Sequence, residues 1–193
     1  GEIVDPFGGT KDIADRIVRC VGNSEERFNE DPLRMMRAVR FACQLNFWLE
    51  VRINHPERLR IISHERIRDE LIKIILTNKP GFGIKRLCAC GLMDYIIPEF
   101  MDLKRIEQGN HHIKDAFHHS VLVLDKGRMV DHKEYNLIFR LACLLHDIAK
   151  PETKSEDASG VHFYSHHYVG SKKARRILKR LRFDNDTIDR TCH

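Results

Sequence analysis

The sequence predicts a mainly α-helical fold, in which a helical neck or body lobe is followed by a second helical domain, with one remnant strand at the N-terminus. Apolar residues recur at helical spacing from Asp31 onward. Helix start and stop signals bracket those stretches. The composition also changes near His111, since ten of the twelve histidines lie from that residue onward. We therefore expect the two lobes to meet near Gly109–Asn110.

The bulk composition is that of a globular protein, and its two basic stretches suit either a polyanionic partner or a solvated helix face. The hydrophobic fraction is 42% and the net charge is +5, concentrated after Asp31 and again after Gly170. No apolar run reaches the roughly 20 residues of a membrane span, and the first residues lack the basic-then-apolar order of a secretory signal. Six cysteines occur without a CxxC pair, which disfavours a disulfide framework or a zinc site. We expect a cytoplasmic protein without a membrane partner.

The N-terminal elements are predicted to be short. Gly1–Val4 is expected to be the end of a strand, and Asp5–Gly9 a turn in which glycine supplies backbone angles that other residues resist. A short helix is then expected to open at Asp12. Its apolar residues are Ile13, Ile17 and Val18.

The clearest helix start is Asp31–Pro32, because Asp is a favoured N-cap and Pro at the first position lacks an N–H that would be unpaired anyway. A second helix is expected from Ser63 until Asn78–Pro80 stops it. The polar stretch Glu152–Gly160 is expected to be a surface loop. The remaining elements are predicted as a helix to about Cys90, a short apolar piece ending at Pro98, and helices at Asp115–Met129, Glu134–Lys150 and His166–Arg182.

A histidine and an aspartate follow the apolar run Leu141–Leu145. His146 and Asp147 lie at the end of a helix predicted to be buried, where polar groups need partners. One solution is a hydrogen-bonded pair at the helix terminus, and the other is a cation. Imidazole and carboxylate together suit Zn²⁺, Mn²⁺, Fe, Ni²⁺ or Co²⁺ better than Ca²⁺.

Histidines also stand near the ends of the neighbouring predicted helices. His118 and His119 open one helix, His146–Asp147 close the next, and His162, His166 and His167 precede the third. This order, H…HD…H on successive helices, resembles the HD superfamily of metal-dependent phosphohydrolases. The resemblance implies that His119, His146 and Asp147 are metal ligands, and that His166 is a further ligand or a phosphate contact.

The HD resemblance implies a divalent metal cofactor (Mn, Ni, Zn, Fe or Mg), which activates water and neutralises phosphoryl oxygens. Lys150 is a candidate phosphate contact, or alternatively a cation that complements a helix C-terminus. HD proteins usually supply a final aspartate from a later helix. The remaining candidates are Asp184, Asp186 and Asp189. We expect the true partner to lie beyond His193, which would leave the HD domain incomplete at its C-terminus and its hydrolytic activity open.

Three strings in the first half resemble class II tRNA nucleotidyltransferases and bacterial poly(A) polymerases. They are Asp5–Gly9, Glu30–Ala42 and Ser63–Leu71. An HD domain behind them is also the arrangement of that family in many bacteria. The resemblance implies that residues 1–30 are a remnant of the nucleotidyltransferase head, 31–109 the helical neck that binds RNA and nucleotide, and 110–193 the HD domain. It also implies Mg²⁺ and paired aspartates in a head domain preceding Gly1, so this chain alone should not polymerise.

The EDxxR motif of that family falls on Glu30, Asp31 and Arg34. The resemblance implies that these residues read the Watson–Crick edges of CTP and ATP, since a carboxylate accepts from an exocyclic amine and a guanidinium donates to ring nitrogen or carbonyl oxygen. Asp31 has a competing role as a helix N-cap. Arg37 and Arg40 continue the basic stripe toward nucleotide phosphate or RNA backbone, or else form salt bridges within the neck.

A basic helix near the C-terminus is a second candidate RNA contact. Lys172–Arg182 carries seven cations and no acidic residue. Its apolar residues form one buried stripe, so we expect the cations to face outward. Lys172, Lys173 and Arg176 are then placed for RNA backbone contacts, which dominate recognition of A-form helices, or for plain solvent exposure.

Three functions are compatible with these features. The first is an RNA nucleotidyltransferase that adds CCA or A residues to RNA 3′ ends, with a tRNA 3′ end as substrate. The second is an autonomous HD phosphohydrolase acting on nucleotides or cyclic phosphates. The third is a non-enzymatic RNA-binding helical module. The Glu30–Ala42 string favours the first, but CCA addition and poly(A) addition share this pattern.

Overall fold

The computed structural model describes residues 3–105, 116–127, 133–157, 160–163 and 165–193. Within those ranges the fold is mainly α-helical, as predicted, and the strands form only two two-stranded sheets. No helix in the described ranges is both long and apolar enough to cross a membrane. The first lobe contains α1 (Gly9–Asp15), β1 (Ile17–Val18), α2 (Ser24–Glu30), α3 (Leu33–Leu45), β2 (Trp48–Leu49), a 3₁₀ helix (Pro56–Ile61), α4 (His64–Ile75), α5 (Pro80–Ala89), α6 (Met93–Ile96) and α7 (Pro98–Arg105). The second contains α8 (Ala116–Lys126), α9 (Lys133–Leu145), α10 (Lys150–Thr153), β3 (Lys154–Asp157), β4 (Gly160–Phe163), α11 (His166–Arg180) and α12 (Asn185–Thr191).

The N-terminal expectations were partly wrong. Ile3 and Val4 are highly exposed and belong to no strand, so the predicted remnant strand is absent from the described residues. Helix α1 begins at Gly9 rather than Asp12, because the Asp5 carboxylate accepts backbone hydrogen bonds from Gly9 and Thr10 at 2.7 and 2.8 Å. Hydrogen bonds from the side chain and backbone of Thr10 lower the pKa of Asp5 to about 2. Residues 17–18 leave the helix and pair in parallel with Trp48–Leu49.

The core of the first lobe lies where α3, α4 and α5 meet. Helix α3 buries the face that carries Met36, Val39 and Cys43, and α4 faces it with Leu71 and Ile74. Gly83 of α5 lies at the contact between all three helices. A Cβ at that position would overlap Ile74 and would approach the Cys43 Sγ to 3.0 Å. The glycine therefore sets how closely α5 packs on the other two helices.

The two lobes share one hydrophobic core rather than meeting at a polar seam. Phe100 of α7 and Phe117 of α8 are both buried, with ring centroids 5.4 Å apart. The Gly81 N–H donates to the Asp125 carboxylate at 2.7 Å, which joins α5 to α8. Arg140 of α9 is 3% exposed and donates to backbone carbonyls at the C-terminal end of α4 and just after it. These contacts fix the second lobe against the first.

Three boundaries in the second lobe differ from the predictions. Helix α9 ends at Leu145, so the His–Asp pair lies in the turn that follows it and not inside a helix reaching Lys150. The stretch predicted as a loop contains the end of α10 and an antiparallel pair, in which Lys154 opposes Phe163. Helix α11 ends at Arg180, and α12 follows with Asp184 as its N-cap. Mainly polar strands such as β3 lack the apolar alternation that reveals strands in a sequence.

Candidate functional site

Three of the four predicted metal ligands lie together. One ligand atom from each of His119, His146 and Asp147 falls within 4.8 Å of the others. His119 is contributed by α8, and the other two by the turn after α9. The Asp147 side chain is only 4% exposed, whereas His119 is 51% exposed. The carboxylate therefore lies at the base of the cluster, with an imidazole facing solvent above it.

The turn after α9 orients the His146 ring. Its Nδ1 lies 2.8 Å from the backbone oxygen of Cys143, and because a carbonyl only accepts, Nδ1 carries the hydrogen. The other nitrogen, Nε2, lies 3.2 Å from the Asp147 Oδ2. That contact is favourable only with a proton or a metal cation on Nε2. A backbone partner on the far nitrogen is the arrangement that metal-binding histidines use.

Three nitrogen-bearing side chains surround one carboxylate oxygen of Asp147. Its Oδ2 lies 3.2 Å from the Nε2 of His146, 4.0 Å from the Nε2 of His119 and 2.7 Å from the Nζ of Lys150. Burial acts to raise the pKa of Asp147, but hydrogen bonds from His146 and Lys150 outweigh it and hold the pKa at about 2. The hydrogen bond with Asp147 raises the pKa of His146. The buried carboxylate thus stays ionised and favours a bound cation.

His166 lies outside this three-residue group, in the first turn of α11. Its ring packs on His167, with centroids 4.6 Å apart. Gly170 lies one helical turn later on the same face of α11, where a Cβ would come within 3.8 Å of the His146 backbone oxygen. The second turn of α11, one turn after His166, therefore lies close to the turn that carries His146 and Asp147. His162 belongs to β4, and its side chain lies outside the described residues.

The later aspartates are engaged elsewhere. Asp184 accepts hydrogen bonds from the backbone and hydroxyl of Thr187, and so caps α12. Asp186 pairs with Arg190 and Asp189 with Arg175. In the ranges that the structure covers, no fourth carboxylate joins the cluster. Two imidazole nitrogens and one carboxylate oxygen nevertheless form a donor set that suits a divalent transition metal.

The EDxxR residues form a small ionic network at the start of α3. Glu30 binds Arg34 at 2.5 Å and Arg27 at 2.6 Å through different oxygens. Asp31 accepts from the Leu33 N–H at 3.1 Å and from Arg66 at 2.9 Å. The capping role predicted for Asp31 is thus present, although Pro32 occupies the N-cap position itself. The ion pairs of Arg27 with Glu30 and of Arg66 with Asp31 were not predicted. The one available signal for the second pair was that Ser63–Leu71, which contains Arg66, carries the same family resemblance as Glu30–Ala42.

The other predicted cations divide into exposed and internally paired residues. Arg37, Lys172 and Arg176 are exposed. Arg40 instead forms the salt bridge given as its alternative, since its Nε donates to the nearly buried Glu70 at 2.7 Å. Lys173 corrects the expectation that every cation of the basic helix faces outward. It is 5% exposed and its Nζ binds Glu152 at 2.6 Å, because it lies beside Ala174 on the buried face of α11.

Two family descriptions match the chain. "Probable RNA and SrmB- binding site of polymerase A" matches residues 51–104, and "HD domain" matches residues 116–193. The A-adding tRNA nucleotidyltransferase of Deinococcus radiodurans is 34% identical over 202 residues, which cover 98% of this chain and 46% of that protein. The CCA-adding enzyme of Levilactobacillus brevis is 45% identical over 109 residues, which cover 54% of this chain and 27% of that enzyme.

A solved structure also aligns with the chain. It is the Thermotoga maritima CCA-adding enzyme complexed with tRNA, at 18% identity and a TM-score of 0.46, covering 98% of this chain and 50% of that one. The chain spans about half the length, or less, of the relatives it matches. Both family matches occur in the predicted order, and the Deinococcus alignment runs through nearly all of the sequence. The chain belongs to the tRNA nucleotidyltransferase and poly(A) polymerase family and carries an HD domain in its second half.

Proposed function

We propose that this chain is part of an RNA nucleotidyltransferase that adds CCA or A residues to RNA 3′ ends. The observation that carries the proposal is the 34% identity to an A-adding tRNA nucleotidyltransferase across 98% of the chain. The proposed substrates are a tRNA 3′ end, CTP and ATP. Residues 1–30 would be a remnant of the Mg²⁺-binding catalytic head, residues 31–109 would form the neck, and residues 110–193 the HD domain.

Nucleotide recognition is assigned to Glu30, Asp31, Arg34 and Arg37. Arg66 holds Asp31 and Glu30 holds Arg34, so both reading groups are oriented before a nucleotide arrives. The Asp31 and Arg34 side chains remain 25% and 39% exposed. Their carboxylate oxygens and guanidinium N–H groups complement the donors and acceptors of cytosine and adenine edges.

The test is a nucleotide-selection assay in the enzyme that carries this chain. Arg34→Ala is expected to lower the preference for CTP and ATP over UTP and GTP about tenfold, since one bidentate base contact contributes about 1–3 kcal/mol of discrimination. Arg27→Ala is the matched control, because Arg27 also pairs with Glu30 but is not assigned to the nucleotide. An unchanged preference in Arg34→Ala would refute the assignment.

For the RNA backbone the assigned contacts are Lys172 and Arg176, which are exposed. Arg40 and Lys173, also predicted as RNA contacts, are occupied by acidic partners. Each lost phosphate contact reduces the salt dependence of binding by about one unit in a plot of log affinity against log salt. Lys172→Met should show this reduction and Lys173→Met should not. Equal slopes of log affinity against log salt in the wild type and both variants would contradict the assignment.

A metal-dependent phosphohydrolase activity is the second candidate, and the cluster of His119, His146 and Asp147 favours it. When bound, a divalent ion (Mn, Ni, Zn, Fe or Mg) supplies a water of lowered pKa and neutralises phosphoryl oxygens. The two imidazoles and the carboxylate would hold the ion, and His166, at the start of α11, is assigned as the additional ligand. Lys150 pairs with Asp147 from the same turn, and its ammonium is assigned to a substrate phosphate.

Calorimetric titration with Mn²⁺ or Ni²⁺ and a phosphodiesterase assay test this second activity. Asp147→Asn should abolish metal binding, and Asp189→Asn should leave it unchanged, because Asp189 is paired with Arg175 on the surface. Metal binding without turnover would favour the third function, an RNA-binding module with a vestigial metal site. No metal binding at all would remove the HD activity from the proposal without affecting the nucleotidyltransferase assignment.

A further inference from the structure

The outward face of α5 combines an aromatic ring with positive charge. Its opposite face is buried against the core through Ile84 and Leu87. Helical spacing brings four side chains to one side: the exposed Lys79 and Lys85, and the half-buried Phe82 and Arg86. The stretch from Lys79 to Gly91 contains no acidic residue. This face therefore presents cations without nearby negative charge on the same helix.

Trp48 of β2 extends this face. Trp48 is 68% exposed, which is high for a large apolar side chain. The Arg86 guanidinium lies 5.9 Å from the Trp48 ring centroid and 5.0 Å from that of Phe82. Both distances fall within the range of cation–π attraction. The Lys79 Nζ donates to the Asn46 side chain at 3.0 Å, which connects the start of α5 to the chain just before Trp48.

We propose that Trp48, Phe82 and Arg86 form a stacking platform for unpaired nucleotides of RNA, with Lys79 and Lys85 placed for phosphates. The proposal rests on the proposed function, because it takes RNA as the partner. Aromatic rings among cations match the chemistry of single-stranded RNA, in which every base has a stacking face and every link a negative phosphate. Helix α5 also lies wholly within residues 51–104, the range matched to an RNA-binding family description.

Fluorescence tests the platform directly, because Trp48 is the single tryptophan of the chain. Oligoadenylate should quench its emission with the same midpoint that anisotropy of a labelled oligonucleotide gives. A stacked base contributes enough that Trp48→Ala should weaken binding about tenfold, which corresponds to ~1.4 kcal/mol. Trp48→Phe keeps a ring and should lose less. Leu122→Ala, at an apolar residue of α8 that is 52% exposed, is the control and should bind normally.

The outcomes separate the platform from the proposed function. Binding by anisotropy with no quenching, and equal affinity for wild type and Trp48→Ala, would overturn the platform and leave RNA binding in place. Equal quenching by blunt duplex RNA would also overturn it, since paired bases offer no free face. No binding of any RNA at low salt would overturn both proposals. A protein partner for this face would give the same lack of response to oligoadenylate.

Discussion

Arg140 joins the two lobes, and replacing it with methionine tests how much that junction stabilises the fold. The residue is 3% exposed on α9, and its Nη1 donates to the carbonyl oxygens of Ile75 at 2.5 Å and Thr77 at 2.8 Å. Those carbonyls lie at and just beyond the C-terminal end of α4. Terminal carbonyls lack partners within their own helix, and the negative pole of the helix favours a cation there.

The expected loss follows from those two hydrogen bonds. A hydrogen bond to a charged group contributes about 1.5–3 kcal/mol, and an acceptor left unpaired in the core costs about 1–3 kcal/mol. Methionine recovers part of this by removing a buried charge while filling most of the same space. We therefore expect Arg140→Met to lower the free energy of unfolding by about 3 kcal/mol. With a urea m value of about 2 kcal/mol/M, the midpoint falls by about 1.5 M.

Urea unfolding followed by circular dichroism measures this change. Arg175→Met is the matched control, because Arg175 is 50% exposed and pairs with Asp189, which is 60% exposed. Such surface pairs contribute about 0–1 kcal/mol. If the two variants shared one midpoint, the two carbonyls would be satisfied without Arg140, and the idea that this side chain fixes α9 to α4 would be refuted.

Three smaller predictions concern single contacts. Gly83→Ala should lower the thermal midpoint, with a loss of about 2 kcal/mol, because the new Cβ would overlap Ile74; a wild-type midpoint would mean that α5 moves away freely. Ser63→Ala should cost about 1 kcal/mol in urea unfolding, since it removes the cap of α4, and an unchanged midpoint would show the cap to be dispensable. Glu99→Gln should cost about 1 kcal/mol at pH 7. Burial acts to raise the pKa of Glu99, but hydrogen bonds from Arg180 outweigh it and lower the pKa below its ordinary 4.5. The loss should therefore shrink as the pH falls through that lowered pKa, and a pH-independent loss would contradict the ion pair.

Features that depend on local chemistry were predictable from the sequence. Ser63 was recognised as a helix start, and its hydroxyl accepts from the Arg66 N–H. A helix ending at about Cys90 was expected, and α5 ends at Ala89, just before Gly91, whose φ of +71° glycine tolerates at little cost. His146–Asp147 was recognised because two polar residues after a long apolar run need a partner. In each case the relevant neighbours lie within a few residues along the chain.

Features set by tertiary contacts were not predictable. The end of α9 at Leu145 depends on a turn in which His146 binds the Cys143 carbonyl and Asp147 is buried. Lysine is usually exposed, but Lys173 is buried, because Glu152 on another element pairs with its charge. The predicted boundary near Gly109–Asn110 lies outside the described residues, and composition could not show that α7 and α8 pack together through the Phe100–Phe117 contact.

Contacts with the first lobe also support the candidate metal site. The turn carrying His146 and Asp147 follows α9, which Arg140 ties to the end of α4. The face carrying His166 belongs to α11, whose Arg180 forms a bidentate pair with Glu99 of α7 at 2.7 and 2.8 Å. Two of the three helices that carry or precede the proposed ligands, α9 and α11, are therefore anchored in the first lobe by an arginine. A shift of α4 or α7 would therefore change the separation between these two segments. We therefore expect a displacement of α4 or α7 to change the geometry of the candidate metal site, although residues 51–104 and the HD domain lie in different lobes.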